Sequence, residues 1–299
     1  MKPIQKTPQS KVTRFKVQED SELLTFLLAK MGGMSRNAAK SLLAHRQVMV
    51  NDKITTQFNL PLKANDSIVV SNSRGNMELS HPKLKIIFED QYLIVVEKKE
   101  GLLTVSTGKG DETTAFSILK NYVKRSSPQN RIFVVHRIDR ETSGIIVFAK
   151  TREIQLAMQE HWHEVVTRRV YVALVDGKVE KESDTIITWL SENEKSLKIH
   201  SSNVDNGGQQ AITRYRCVKS NEKLSLLEVE LETGRKNQIR VHMQDIGHPI
   251  VGDKKYGSFS TPIGRMGLHA RVLAFIHPMS LDEVKFETPV PRSFLTVFH

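Results

Sequence analysis

The chain contains a single cysteine, which limits its redox chemistry. Cys217 lies in residues 212–218, where polar and apolar residues alternate as in a strand, so we interpret it as structural. One cysteine cannot form an intrachain disulfide, and this fits a reducing compartment. We therefore expect a cytoplasmic protein.

Long apolar runs are also missing. No apolar stretch approaches the length that spans a membrane, and residues 1–6 lack the apolar core of a signal peptide. We expect neither a membrane span nor a secretory leader.

The patterns that hold most cofactors are absent as well. The sequence has no glycine-rich phosphate loop and no Cys/His cluster at metal-ligand spacing. His161 and His163 flank Trp162, but residues two apart do not share a helix face. We expect no cofactor and no metal.

Basic residues are in excess. Lys and Arg total 44 against 33 Asp and Glu, a formal net charge of +11 over 299 residues. Such an excess favours a polyanionic partner, either nucleic acid or an anionic membrane surface. The length suits one large or two ordinary domains, and 39% hydrophobic residues suffice for a core.

One polar loop stands out between two apolar runs, residues 132–135 and 145–149. Such runs predict buried strands, and a loop between two buried strands can hold reactive side chains in fixed positions. Its Asp139 is flanked by Arg137 and Arg140, which favour the ionised carboxylate. That group can act as nucleophile, base or metal ligand, although no second acid or His cluster supports the metal. Alternatively, Asp139 only ties down a hairpin through local ion pairs.

The full string of this loop is informative. HRIDRETSGI at residues 136–145 closely resembles the HRLDxxTSGL signature of the RluA family of RNA pseudouridine synthases. In that family the Asp is essential, which implies that Asp139 is catalytic. The resemblance also places Arg137 and Thr142 in the substrate site, with Arg137 a candidate to fill the space left by a flipped nucleotide.

A second segment, YVALV at residues 171–175, resembles the family's YxALV motif. The Tyr of that motif sits against the target base, so the resemblance implies the same for Tyr171. The alternative interpretation is an ordinary core tyrosine.

A third segment, TGRKNQIRVH at residues 233–242, resembles TGRxHQIRxH, with Asn237 in place of the usual His. It predicts a strand, a turn and a helix. The resemblance places Arg240 against Asp139, and Arg235 and Ile239 in the substrate site. A helix-surface arginine is the alternative for Arg240.

Other segments match the family in the correct order, so that the resemblance covers about residue 84 to the end. They are KKEG at 98–101, GHPIVGDKKYG at 247–257, GLHA at 267–270 and TPVP at 288–291.

Residues 15–71 predict two short helices followed by a small hairpin, and they resemble an S4 RNA-binding domain. The resemblance implies RNA contacts by Arg36, Lys40 and Arg46. The S4 family usually has Gly where Arg46 stands. A small helical cap with a solvated basic face is the alternative.

The predicted fold is α+β. It has a small S4-like domain and then a catalytic domain with a mixed, largely antiparallel sheet, flanking helices and a central cleft. The predicted parts are a flexible arm (1–14), the S4-like domain (15–71), a linker (72–82) and the catalytic domain (83–299).

The resemblance implies isomerisation of uridine to pseudouridine in RNA without cofactor or metal. Asp139 would attack the base or the ribose, Arg240 would hold it ionised, and Tyr171 would stack on the uracil and take the C5 proton. An S4-like domain joined to a catalytic domain favours large-subunit ribosomal RNA over transfer RNA. We expect a monomer.

Two functions from other classes stay open. One is an RNA-binding assembly factor on a degenerate synthase scaffold. The other is an Asp-dependent glycosidase of nucleic acid, for which Glu141 is the local candidate for the second carboxylate.

Overall fold

A computed structural model gives the fold and describes residues 12–44, 47–51, 53–71, 79, 81–108 and 112–298. These residues divide into two compact units. One holds the described residues up to 71 together with 122–130, and the other holds 79–121 and 131–298.

Between residues 12 and 71, the described part of the smaller unit contains two helices and two small antiparallel sheets. Its elements are β1 Val12–Lys16, β2 Ser21–Glu22, α1 Leu23–Lys30, α2 Arg36–Ala44, β3 Val48–Val50, β4 Lys53–Ile54, β5 Pro61–Leu62 and β6 Ser67–Ser71. The strands are ordered β1-β6-β3-β4, and β2 pairs with β5. The apolar faces of both helices pack on the sheet through Leu27, Leu43 and Ile68. The predicted order of two helices and a hairpin is confirmed.

The N-terminal boundary differs from the prediction. Residues 12–14 belong to β1, whose Thr13 and Arg14 lie opposite Val70 and Val69 of β6. Backbone groups need hydrogen-bond partners, and β6 supplies them to a segment whose polar composition suggested a mobile arm. Arm residues 1–11, Arg46, and linker residues 72–78 and 80 lie outside the described residues.

The larger unit is built on one extensive sheet. Its strands are β7 Leu84–Glu89, β8 Leu93–Lys98, β9 Phe133–Val134, β10 Ser143–Ala149, β11 Arg168–Asp176, β12 Ser183–Glu192, β13 Ile199–Ser202, β14 Gln209–Ser220, β15 Leu224–Leu231, β16 Leu268–Ile276 and β17 Glu283–Glu287. The helical segments are α3 Ala115–Ser126 (whose last residues group with the smaller unit), α4 Arg152–Glu160, α5 Trp162–Val165, α6 Gln238–Asp245, a 3₁₀ turn Lys254–Tyr256 and α7 Arg292–Thr296.

The sheet runs β13-β12-β14-β15-β11-β16-β10-β8-β7, with β17 on β16 and β9 on β10. Among the described strands the pairings are antiparallel except β10 with β16. The predicted mixed, largely antiparallel sheet with flanking helices is confirmed. Over the described residues, no helix combines the length and apolarity needed to cross a membrane.

Candidate active site

The loop that carries Asp139 joins β9 to β10 and is held through its backbone carbonyls. Lys98, at the end of β8, donates to the carbonyls of Arg140 (3.1 Å) and Thr142 (2.6 Å). The Thr104 hydroxyl donates to the Ile138 carbonyl at 2.8 Å. Because three successive parts of the loop are tied down, the position of Asp139 is fixed by its neighbours.

Lys98 is fully buried. Burial lowers the pKa of its ammonium to about 8, although the negative charges of Glu141 and Glu100 oppose the shift. Loop carbonyls take the place of water around this cation. In the sequence, Lys98 is only part of the matched segment KKEG.

The end of the loop needs a glycine. Gly144 lies opposite Ala270 of the parallel strand β16 and has φ +119°. A Cβ at this position would lie 2.1 Å from the Ala270 carbonyl oxygen. The Gly of the Thr-Ser-Gly string thus lets two strand backbones approach closely.

The structure places Arg240 of α6 against Asp139. Its Nη1 lies 3.1 Å from Asp139 Oδ2, across 101 residues of sequence. The Asp139 side chain is 33% exposed and that of Arg240 14%, so the pair faces a cleft rather than open solvent. A charge-assisted hydrogen bond of this kind fixes the direction of the carboxylate.

The other donors of Arg240 are also occupied. Nε and Nη2 donate to the two carboxylate oxygens of Asp253, at 2.6 and 2.8 Å, and Nη1 also donates to Asn237 Oδ1 at 3.0 Å. Burial alone would lower the pKa of the guanidinium, but Asp253 and then Asp139 raise it above its ordinary value. The forked geometry fixes the plane of the guanidinium, so Nη1 points at Asp139.

Asn237 and Tyr256 complete this cluster. Asn237 occupies the left-handed region at φ 55° before α6, a conformation that Asn tolerates better than most residues. Its amide donates to the Tyr256 hydroxyl at 3.0 Å, and the Tyr256 ring lies 4.9 Å from the Arg240 guanidinium. Asn237 therefore orients both Tyr256 and Arg240.

Asp253 and Tyr256 had no role in the sequence interpretation. Both lie in the matched segment GHPIVGDKKYG, so the signal was present. An Asp after a Gly is typical of a turn, and nothing in the string indicates that its carboxylate turns inward to Arg240.

The cleft beside Asp139 brings together the other predicted substrate residues. Its lining includes Arg137, Thr142, Tyr171, Arg235 and Ile239. Its volume is about 80 Å³, small beside the ~300–1,000 Å³ of ordinary ligand pockets.

Tyr171 is half-buried in β11. Burial raises the pKa of its hydroxyl to about 12, with Arg169 opposing the shift and Asp139 adding to it. The phenol is therefore protonated near neutral pH.

The predicted RNA-binding residues belong to the other unit. Arg36 and Lys40 are exposed on α2, and Lys40 Nζ lies 5.1 Å from the centre of the Phe58 ring. Arg46 is outside the described residues. Within the described parts, no three His, Cys, Asp or Glu side chains are grouped to hold a metal ion.

Comparisons with known proteins show the family of the chain. Residues 92–245, more than half of the chain, match the RNA pseudouridylate synthase family. The RNA pseudouridine synthase YhcT of Bacillus subtilis is 30% identical over 279 residues, covering 92% of this chain and 91% of its own. Ribosomal large subunit pseudouridine synthase D of Zymomonas mobilis is 34% identical over 230 residues, 72% of each chain.

The fold is also found among solved structures. Human RNA pseudouridylate synthase domain containing 4 superposes with a TM-score of 0.58 over 70% of this chain and 90% of its own, at 23% identity. At that identity the likeness concerns the fold alone. The family match and the relatives at 30% and 34% identity lead to one conclusion: the chain belongs to the RNA pseudouridine synthase family and is an isomerase.

Proposed function

We propose that the protein converts specific uridines of large-subunit ribosomal RNA to pseudouridine, with Asp139 as the essential residue. The observation that carries the proposal is the Asp139–Arg240 pair in a cleft that Tyr171 also lines. The name of the Zymomonas relative supports ribosomal RNA as the substrate. A net charge of +11 suits a long polyanion.

In the proposed reaction Asp139 attacks either the base or the ribose carbon. The glycosidic C–N bond breaks, the uracil turns within the cleft, and a bond forms between C5 and the ribose carbon. The bond to Asp139 breaks again, C5 loses its proton and the ring nitrogen freed from the ribose gains one, so that the product is an isomer of the substrate. Arg240 keeps Asp139 ionised and aimed, because Asp253 fixes the guanidinium from the other side.

The main role proposed for Tyr171 is to stack on the uracil. Because its hydroxyl is protonated near neutral pH, accepting the C5 proton would require it to pass on its own proton. Ile239 and Thr142 wall the cleft.

The uridine must leave its stack to reach Asp139. Arg137 is exposed and lines the cleft, which suits a side chain that fills the space the base leaves. Arg235 lines the same cleft and can contact the RNA backbone.

The smaller unit is proposed to be an S4-like RNA-binding domain. Its two helices and hairpin, with Arg36 and Lys40 exposed on α2, support this role. Arg46 is included from the sequence pattern alone. We further propose a cytoplasmic monomer; light scattering of the purified protein tests the monomer.

The test compares pseudouridine maps of total RNA from cells with the protein, without it, and with Asp139→Asn. We expect sites in large-subunit ribosomal RNA to disappear in the last two, while purified Asp139→Asn binds RNA nearly as well as wild type. Loss of sites in transfer RNA instead would overturn the substrate. Turnover by Asp139→Asn at a substantial fraction of wild type would overturn the role of Asp139, and release of free uracil would indicate a glycosidase.

A further inference from the structure

A second cavity lies beside the Asp139 cleft. It has a volume of about 330 Å³, within the range of ordinary ligand pockets. Tyr171, Arg137, Arg235 and Leu231 line both spaces, so a ligand that enters one is adjacent to the other. The mechanism of uridine isomerisation makes no use of this second cavity.

Aliphatic and aromatic side chains line much of the cavity. Ile145, Val272 and Leu273 contribute aliphatic surface. Trp162 and His136 add a pair of rings whose centres are 4.9 Å apart. Unstacked RNA bases bind to surfaces of this kind.

His136 also offers a hydrogen-bond donor. Burial lowers the pKa of its imidazole to about 3, so the ring is neutral. Its Nε2 accepts from the Val147 amide at 3.1 Å, so Nδ1 carries the hydrogen. That hydrogen has no acceptor among the described residues, and a base carbonyl or ring nitrogen would supply one.

The cavity also has an unpaired cation. The guanidinium of Arg169 is half-buried, and its Nη2 donates to the carbonyls of Leu231 (3.3 Å) and Glu232 (2.7 Å). Its Nη1 packs on Gly234, where a Cβ would lie only 2.6 Å away. Within the described parts of the chain, no carboxylate pairs with Arg169, Arg137 or Arg235; the neighbouring Arg168 pairs with Glu230 instead.

An apolar and aromatic surface beside unpaired guanidinium groups fits a nucleotide. The base can pack on the rings, and the phosphate can pair with the guanidinium groups. We propose that this cavity binds a second unstacked nucleotide of the RNA, next to the uridine that enters the Asp139 cleft. The base lies against Trp162 and His136, and its phosphate is held by Arg169. This inference rests on the proposed function, since the second nucleotide belongs to the same RNA.

The first test is photocrosslinking of full-length Asp139→Asn to a ten-nucleotide oligouridylate with 4-thiouridine at one position. After trypsin, residues 153–168 contain Trp162, 132–137 contain His136, and 170–178 contain Tyr171. We expect adducts on 153–168, or on His136 within 132–137, as well as on 170–178; Arg137 does not count, because it also lines the Asp139 cleft. Failure of the oligomer to bind, or adducts confined to 170–178 and Arg137, would overturn the second site.

The second test compares Arg169→Met with its matched control Arg168→Met, whose cation already pairs with Glu230. Arg169→Met should bind the oligouridylate about tenfold more weakly. The slope of log affinity against log salt should fall by about 0.7, the value for one phosphate contact on a single strand. Arg168→Met should match wild type in both measurements, and equal behaviour of the two variants would contradict the proposal.

Arg169→Lys separates phosphate binding from support of the Gly234 turn. Lysine keeps the charge, so the salt slope should return to that of wild type. A folded Arg169→Lys that keeps the reduced slope would reduce Arg169 to a structural role and overturn the phosphate contact.

The pseudouridine maps keep the two proposals apart. Modified ribosomal RNA without the second-site adducts would support the proposed function and contradict the second nucleotide site. Second-site adducts without any modified RNA would support the second nucleotide site and contradict the proposed function.

Discussion

At the scale of single residues, Arg240 reaches Asp139 because other side chains hold its guanidinium. Asp253 accepts from Nε and Nη2 through both carboxylate oxygens, and Nη1 lies 3.1 Å from Asp139 Oδ2. A change at Asp253 should therefore alter the contact between Arg240 and Asp139.

Asp253→Asn should weaken the positioning of Arg240. An amide offers one acceptor where the buried carboxylate offers two, and it carries no charge to balance the guanidinium. We expect the free energy of unfolding to fall by about 1–3 kcal/mol. The single-turnover rate should fall while RNA affinity stays near wild type, because Asp253 holds Arg240 rather than RNA. Urea unfolding and single-turnover assays measure both, and a wild-type rate would show that Asp253 is dispensable for aiming Arg240.

Lys98 gives a pH-dependent prediction. Its pKa is about 8 in the fold, against an ordinary value of 10.5. Between these values the unfolded chain binds more protons, so this residue adds stability as the pH rises through that window. The unfolding free energy of wild type minus that of Lys98→Met should therefore rise by on the order of 1 kcal/mol between pH 7.5 and pH 9.5.

Lys99→Met is the matched control for that measurement, since Lys99 is the adjacent lysine and is exposed. Its difference from wild type should stay flat across the same window. A flat difference for Lys98→Met as well would mean that the buried amine does not titrate there.

The contact between Asp139 and Arg240 was predictable from the family strings, although 101 residues separate the pair. The inward carboxylate of Asp253 was not predictable, because it depends on a turn that the string does not specify. Lys98 lies in the matched segment KKEG, but its binding of loop carbonyls depends on how β8 meets the loop.

At the scale of elements, apolar runs predicted β10, and the segment TGRKNQIRVH predicted the turn into α6. Polar composition hid β1, whose residues are stabilised by pairing with β6. Apolar spacing also predicts one helix from Arg152 to His163, whereas in the structure α4 ends at Glu160 and α5 begins at Trp162. The apolar periodicity continues through Trp162, so the break depends on local backbone geometry that a pattern does not record.

Gly144→Ala tests the parallel junction of β10 and β16. The new methyl group would meet the Ala270 carbonyl at 2.1 Å, and φ is +119°. We expect a loss of more than about 3 kcal/mol in unfolding free energy, or failure to fold. Gly247→Ala is the control: its φ is +81° and nothing lies within 4 Å of the added methyl, so it should cost only about 1–2 kcal/mol of backbone strain. Equal losses in chemical denaturation would remove the steric argument.

At the scale of the whole molecule, the sequence predicts a linker at residues 72–82 and a catalytic domain from residue 83. It could not show that residues 122–130 group with the smaller unit, because a boundary read along the sequence does not record which segments meet in space. In the proposed function the smaller unit binds RNA and the larger unit carries out the reaction. This assignment can be tested without deleting either unit.

The double variant Arg36→Ala/Lys40→Ala removes two exposed cations from α2. If both contact phosphates, affinity for structured ribosomal RNA should fall and the slope of log affinity against log salt should decrease by about 1.4–1.8. The single-turnover rate at saturating RNA should not change, because neither residue lines the Asp139 cleft. Lys63→Ala is the control, since Lys63 already pairs with Asp20 at 2.9 Å and should alter the slope little. If the double variant kept the wild-type slope, α2 would be a solvated face and RNA would be held by the larger unit.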